Sequence, residues 1–281
     1  MYLSKHRQIL EEDNINIPGI ILFGHNLSSR ATLPLDMHTH EDCIEIVVII
    51  KGSEFYYVEE KIFELSGGDV FISFVNQPHM SGNSAQGVCE FIWFQIKPSI
   101  YENFLGLSKI NGDLIRQQLE SINVHVIKMD SEAIDFLKKS FHSFLESKLD
   151  NRLYAQSLFV SFLSKLFLTQ NVDSKGDASM QYVVKYIDEH ILSFITIEEL
   201  CSECNISLSG FKHKFKKYIG ETPRDYINSR KIVRAKELLK SGKNITETAM
   251  ILSFNTSDYF SVVFKKYTNC TPSQYIFKAR A

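Results

Sequence analysis

Little in this sequence points outside the cell. Among 281 residues there are five cysteines (Cys43, Cys89, Cys201, Cys204 and Cys270), and their spacing builds no disulfide framework. An odd and sparse set suits a reducing compartment. The first residues, MYLSKHRQILEEDN, hold no apolar run of the kind a secretory leader needs. A bilayer-spanning stretch is also missing. The most apolar segment, residues 153–168, is broken by Gln156, three serines and Lys165, and its periodicity is that of an amphipathic helix. The expectation is a cytoplasmic protein with no membrane partner.

Net charge is also scarce, at −2, but it is unevenly spread. Residues 178–281 carry 16 Lys and Arg against 10 Asp and Glu, a net of +6, which leaves 15 against 23, a net of −8, in residues 1–177. An acidic first part joined to a basic last part implies that only the last part meets a polyanion. The length allows two domains.

Residues 17–97 read as strands. The β-branched runs at 44–50, 55–58, 70–74 and 91–96 are separated by turn signals at Lys51-Gly52 and Gly67-Gly68. Many short strands with glycine turns suggest a small barrel or jelly roll. After Pro98 the texture becomes helical, with amphipathic spacing over 131–148 and 151–170. Residues 171–179, NVDSKGDAS, are polar and aperiodic and read as a linker.

The remainder contains an internal repeat. FKKYIGETPRDYI at 215–227 and FKKYTNCTPSQYI at 264–276 share eight of thirteen positions at an offset of 49. Two copies of one small helical unit are implied. In the first, Thr196 and Glu199 form a capping box that starts a helix through residue 204, and Ser207 caps a second helix over 208–218. Phe211 and Phe215 share one face of that helix, and lysines fill the other. Thr222-Pro223 and Thr271-Pro272 each launch a further helix, and the one over 225–240, stopped by Gly242, joins the copies. In the second copy the helices fall at 245–252 and 257–267, the latter capped by Thr256, with Tyr259, Phe260 and Val263 as apolar contacts. Helix, tight turn and helix with an apolar inner face and a cationic outer face is the helix-turn-helix pattern.

Residues 195–276 resemble the DNA-binding domain of the AraC/XylS family, through ITIEEL (195–200), 207–227, RKIVRAKELL (230–239) and 253–276. This sequence departs from the family pattern at Ser253, where glycine is usual, and at Ser257-Asp258. The resemblance implies two helices in successive major grooves of double-stranded DNA. Ser209, Lys212 and His213 of the first, and Asn255, Ser257, Asp258, Ser261 and Val262 of the second, would face bases. The helix starts at Ser207 and Thr256, with Lys216, Lys217, Lys265 and Lys266, would hold phosphates.

In the first half, His38 and His40 are followed by Glu45 and Gly52, and later by Gly68, Pro78-His79 and Asn83. This is similar to the cupin pattern, in which His, His, Glu and His converge inside a barrel and can ligate a divalent transition metal. Such a cluster equally suits a hydroxyl-rich ligand such as a sugar, on which Trp93, the only tryptophan, could stack. Here the family's glycine before the last histidine is absent, and whether metal binds stays open.

The expected architecture is a two-domain α+β chain. A cupin-like, effector-binding β-barrel occupies 1–100 and a helical segment for dimerisation 101–170. A linker follows at 171–179, then an all-α domain with two helix-turn-helix units at 180–281. Phe159, Phe162, Leu163, Leu166 and Phe167 would form either the dimer seam or packing against the barrel. The Cys201-x-x-Cys204 pair reads as helix packing. The function expected is a DNA-binding transcription regulator, an activator without a cofactor or enzymatic turnover. It would act as a homodimer and answer to a small molecule, with a sugar first in view. The alternatives are a metal-dependent cupin enzyme with a DNA-binding appendage, and a regulator controlled by a protein partner.

Overall fold

A computed structural model describes residues 2–3, 6–28, 34–81, 88–146, 149–170 and 178–280. The chain forms two compact units and changes from one to the other after residue 174. Asn83, and residues 171–177 of the expected linker, lie outside the described residues.

The first unit is built on two sheets. Its strands are β1 (Tyr2–Leu3), β2 (Arg7–Glu11), β3 (Ile20–Leu27), β4 (Ile44–Lys51), β5 (Ser53–Val58), β6 (Lys61–Ser66), β7 (Asp69–Ser73), β8 (His79–Met80), β9 (Glu90–Ile96) and β10 (Val126–Lys128). The large sheet runs β1-β2-β3-β9-β4-β7-β10 and the small one β6-β5-β8. Its helices are α1 (Glu12–Ile15), α2 (Lys109–Glu120), α3 (Ser131–Leu145) and α4 (Leu149–Gln170).

Side chains alternate across a strand, so β4 serves two cores at once. Ile44, Ile46 and Val48 face the helices, in a core with Phe23, Phe94, Phe141, Phe144, Phe159 and Phe162. Phe23 meets Phe94, Phe141 and Phe159 edge-on, with ring centroids 5.8, 5.1 and 5.6 Å apart. Val47 and Ile49 face the other way, into a core shared with Tyr56, Val58 and Leu65 of the small sheet and with Phe71, Phe91 and Trp93. The two sheets therefore pack on each other, and the helices cover the outer face of the larger one.

This settles the alternative left open for α4. Phe159, Phe162, Leu163, Leu166 and Phe167 are all buried in the first unit's own core. They pack inside the domain and are not free to form a seam between chains.

The second unit is all helix: α5 (Ala178–Glu189), α6 (Ile197–Cys204), α7 (Leu208–Ile219), α8 (Pro223–Lys240), α9 (Ile245–Ile251), α10 (Ser257–Thr268) and α11 (Pro272–Arg280). It holds two small cores. Leu200, Cys201, Phe211, Phe215, Tyr226 and Ile227 belong to the first, and Ile232, Ala235, Leu239, Ala249, Leu252, Phe260 and Phe264 to the second. The first half of α8 thus packs in one core and the second half in the other, which fixes the two copies to a single strut. Gly242, with φ of 95°, takes the left-handed conformation that ends this strut.

Candidate nucleic-acid interface and histidine cluster

Each copy of the repeat is assembled by local rules. Thr196 accepts from the Glu199 amide at 3.1 Å while Glu199 reaches back to the Thr196 amide at 2.9 Å. Asn244 and Glu247 form the same reciprocal box at 2.8 and 3.1 Å. Ser207 and Thr256 then cap α7 and α10, accepting from Gly210 and Tyr259 at 3.3 and 3.1 Å. Two backbone amides per box are satisfied, which fixes where each helix starts.

The turns between the helices also match. Asn205 and Ser253 both sit at left-handed φ, 52° in each case. The next amide returns to the helix before it, Ile206 to the Cys201 carbonyl at 3.1 Å and Phe254 to the Ala249 carbonyl at 2.9 Å. This is a Schellman closure, which favours glycine at the left-handed residue. Ser253 occupies that position and its hydroxyl donates to the Leu192 carbonyl at 2.8 Å. The first helices of the copies are offset by 48 residues and the second by 49, so the second turn contains one extra residue, Asn255.

The outer faces differ. On α7, Ser209, Lys212, His213, Lys216 and Lys217 are exposed, as is the cap Ser207. Lys214 instead turns to the Ser179 hydroxyl at 2.9 Å. On and before α10, Asn255, Thr256, Asp258, Val262, Lys265 and Lys266 are exposed, whereas Ser257 and Ser261 are half-buried. Val262 stands 68% exposed on the outer face of α10. The Ser261 hydroxyl donates back to the Ser257 carbonyl at 2.9 Å. Lys266 pairs with Asp225 of α8 at 3.2 Å, and the Tyr267 hydroxyl donates to the Asp225 carbonyl at 3.2 Å. Tyr259 does not join the core. It is 39% exposed, and Arg224 donates to its hydroxyl at 3.4 Å. These links brace α10 against the start of α8.

The second site lies inside the first unit. On β4, Glu45 stands opposite Gln95 of β9 and Ser73 of β7, so three polar side chains form one row across neighbouring strands. His79 of β8 faces this row from the small sheet. Its backbone exchanges two hydrogen bonds, both 3.0 Å, with His38. One donor atom from each of His38, His40, Glu45 and His79 lies within 4.8 Å of every other. Glu45 Oε1 contacts His79 Nε2 at 3.2 Å, and Oε2 contacts His40 Nε2 at 3.0 Å and accepts from Gln95 at 3.0 Å. Gln95 also lies 3.1 Å from His40 Nδ1.

Burial pushes the Glu45 carboxyl up, but the hydrogen bonds from His40, His79 and Gln95 outweigh it and hold the group well below the usual carboxylate range. His79 is fully buried. Burial alone would lower its pKa, and contact with Glu45 and with the Gln77 carbonyl raises it instead. The site is thus a buried carboxylate facing several imidazoles, polar in an otherwise apolar interior.

The four residues expected from the sequence come together here. Trp93 sits one row deeper on the same face of β9. Arg7 lies 4.7 Å above its ring, and a Cβ on Gly24 would fall 2.4 Å from it, so Gly24 is what lets the indole fit. Gln95 and Ser73 were not foreseen. The signal was present in the alternation, since each is the polar residue at the end of an inward-facing apolar row. Cys201 is buried and Cys204 half-buried, both outside any disulfide, and the Cys204 thiol donates to the Ser179 carbonyl at 3.8 Å. Among the described residues no helix is long and apolar enough to cross a membrane.

Comparison with known proteins adds an independent line. A model of the AraC-like ligand binding domain matches residues 32–163, and a helix-turn-helix domain model matches residues 200–277. The chain is 22% identical over 243 residues to the HTH-type transcriptional activator RhaS of Salmonella schwarzengrund, covering 83% of this chain and 84% of that one. It is 20% identical to the uncharacterized HTH-type transcriptional regulator YdeC of Bacillus subtilis, covering 96% and 95%. Among solved structures, ToxT of Vibrio cholerae aligns over 98% of both chains at 17% identity and a TM-score of 0.35.

Proposed function

We propose, from the premise that this chain belongs to the AraC family of DNA-binding transcription regulators with a ligand-binding domain, that it is an activator whose first unit senses a small molecule and whose second unit reads an operator. The observation that carries this is the pair of capped helix-turn-helix copies fixed to one strut. α8 has 18 residues and is therefore about 27 Å long, within reach of the ~34 Å between successive major grooves.

In this reading the two recognition helices divide the work. α7 offers Ser209, Lys212 and His213 to bases, with Lys216, Lys217 and the helix start at Ser207 on phosphates. Its unopposed lysines supply general affinity. α10 supplies discrimination. Asp258 accepts from a cytosine amine, Val262 packs on a thymine methyl, and Asn255, Ser257 and Ser261 border them. Thr256, Lys265 and Lys266 hold the backbone there, Lys266 at the expense of its bond to Asp225.

The effector enters the first unit, a cupin-like β-fold, and meets His38, His40, Glu45 and His79, with Trp93 as the wall behind. A sugar fits a polar site of this kind. The chain works as a homodimer in the cytoplasm, and the seam uses surfaces other than the buried face of α4. A switch needs only different affinities of the effector for two states, so no turnover is required. The naming of the relatives as regulators supports that reading over an enzyme with a DNA-binding appendage.

The test is selection of duplexes from a random pool by the full chain, followed by gel shift at moderate salt with and without candidate sugars. A preferred sequence bound at least a thousandfold more tightly than random DNA is the expected result. Equal affinity for all sequences would defeat the proposal.

A further inference from the structure

We propose that Arg224, in the first turn of the strut α8, makes a third DNA contact. With Tyr259 and Lys266 of α10 it grips one backbone phosphate at the minor groove that separates the two major grooves. The inference deepens the proposed function and rests on its reading that α7 and α10 enter successive major grooves.

The place follows from chain order and packing. Only residues 220–222 separate the end of α7 at Ile219 from the start of α8 at Pro223. The start of α8 is in turn braced on α10, by Lys266 to the Asp225 carboxylate and by the Tyr267 hydroxyl to the Asp225 carbonyl, both at 3.2 Å. The first turn of α8 therefore lies between the last turn of one recognition helix and the side of the other. When two such helices occupy successive major grooves on one face, a minor groove crosses between them, with a row of phosphates along each edge. Arg224 is exposed at that point.

The shape is a cleft between α8 and α10. It holds about 250 Å³, and Arg224, Tyr259, Val262 and Lys266 are among the residues that line it. Val262 and Lys266 are exposed residues of the outer face of α10, so the cleft is continuous with the surface assigned to DNA. Its volume falls below the ~300–1,000 Å³ of a small-molecule pocket. It suits one group of a larger ligand.

The chemistry selects an anion. The carboxylate in the cleft, that of Asp225, is already engaged: Oδ1 accepts from Lys266 at 3.2 Å and Oδ2 from the Thr222 hydroxyl at 2.7 Å. Among the described residues Arg224 has no acidic partner, and its guanidinium donates to a neutral acceptor, the Tyr259 hydroxyl, at 3.4 Å. That hydroxyl keeps its own hydrogen to donate. The Tyr259 ring lies 6.1 Å from the Phe254 ring at 57°, which helps to fix where the hydroxyl points. Arg224 and Lys266 against Asp225 leave one positive charge in the cleft, which a phosphate neutralises. A guanidinium offers a phosphate two parallel N–H bonds. Tyr259 adds an O–H, and Lys266 a further donor once it leaves Asp225.

The experiment measures affinity of the full chain for a selected duplex by fluorescence anisotropy over a range of salt. Wild type is compared with Arg224→Ala, Arg224→Lys and Tyr259→Phe, each checked for an intact fold by circular dichroism. Arg224→Ala should weaken binding about tenfold and lower the slope of log affinity against log salt by about one. Arg224→Lys keeps the charge and should keep the slope, with a loss of about threefold from the missing fork. Tyr259→Phe should also keep the slope and lose about threefold. A merely structural role for Arg224 would leave the slope unmoved in all three.

The contact is then located with single uncharged methylphosphonates, placed in turn along both strands of the site. One position, between the two segments that the helices protect, should weaken wild type at least about fivefold and Arg224→Ala less than about twofold. Equal salt slopes for wild type and Arg224→Ala overturn the proposal. So does coupling of Arg224 only to a phosphate inside a protected segment. A change of base preference in the minor groove without coupling to any phosphate also overturns it, and makes Arg224 a base contact instead. If no duplex is ever selected, the regulator reading falls, and the salt slope on a random duplex still decides whether Arg224 holds a phosphate.

Discussion

The two helix-turn-helix copies share their interior and differ on their surface. Both have a reciprocal capping box, a left-handed closure and a buried aromatic pair four residues apart, Phe211 with Phe215 and Phe260 with Phe264. Outside, α7 shows three exposed lysines, Lys212, Lys216 and Lys217, and no acid, while α10 shows Asp258 and Val262 before its two lysines. Rules of capping and packing constrain the inner face in both copies alike. The outer face is freer of those rules, and in the proposed function its differences reflect the DNA that each copy meets.

The sharpest way to break this comparison is through the shared interior. Phe215→Ala and Phe264→Ala should each cost about 3–5 kcal/mol, because both rings are fully buried. Chemical denaturation of the full chain should show similar losses for the two. A loss below 1 kcal/mol in one copy would mean the cores are not equivalent.

The outer faces should respond unlike each other. Asp258→Ala and Val262→Ala should each cost about 1–3 kcal/mol at one base pair only, read by single-base substitution across a selected duplex. Exchanging the relevant thymine for uracil should abolish the Val262→Ala effect. Lys212→Ala and Lys216→Ala should weaken all sequences alike and reduce the slope of log affinity against log salt by about one each. Sequence-specific loss on the α7 side, or uniform loss on the α10 side, would reverse the assignment.

Much of this half was legible in advance, because its determinants are local. Thr196, Ser207, Thr222 and Thr256 each cap the helix they were expected to start. Two features were missed: the extra Asn255, hidden because the repeat was matched at a constant offset through the second helices, and the exposure of Tyr259, which was expected to pack in the core. The first unit was harder. Its strands at 44–51, 69–73 and 90–96 follow from β-branched runs, but β10 is three residues long and exists only because β7 offers it an edge. Glu45 and the histidines were visible as residue types at a spacing. Gln95 and Ser73 join them through cross-strand register, which no local pattern states. Amphipathicity in α4 showed an apolar face without saying what would cover it.

Smaller effects sharpen the comparison further. Thr196→Ala and Asn244→Ala remove equivalent caps and should each cost about 1 kcal/mol in thermal melts. Unequal losses would mean one box is strained. Ser253→Gly should have the smallest effect. Glycine removes about 1–2 kcal/mol of left-handed strain, and losing the bond to the Leu192 carbonyl costs about 0.5–1.5 kcal/mol. A melting temperature unchanged within a few degrees is expected, and a large drop would show that the hydroxyl holds the copies in place.

The central claim is that one strut sets both recognition helices on successive major grooves of one DNA face. Hydroxyl-radical footprinting of the full chain on a selected duplex tests it most directly, with a second duplex carrying about five extra base pairs, half a helical turn, between the two protected segments. The expected result is two protected segments about 10 base pairs apart on one face, with binding lost in the lengthened duplex. Protection of a single groove, or equal binding to both duplexes, would contradict the claim.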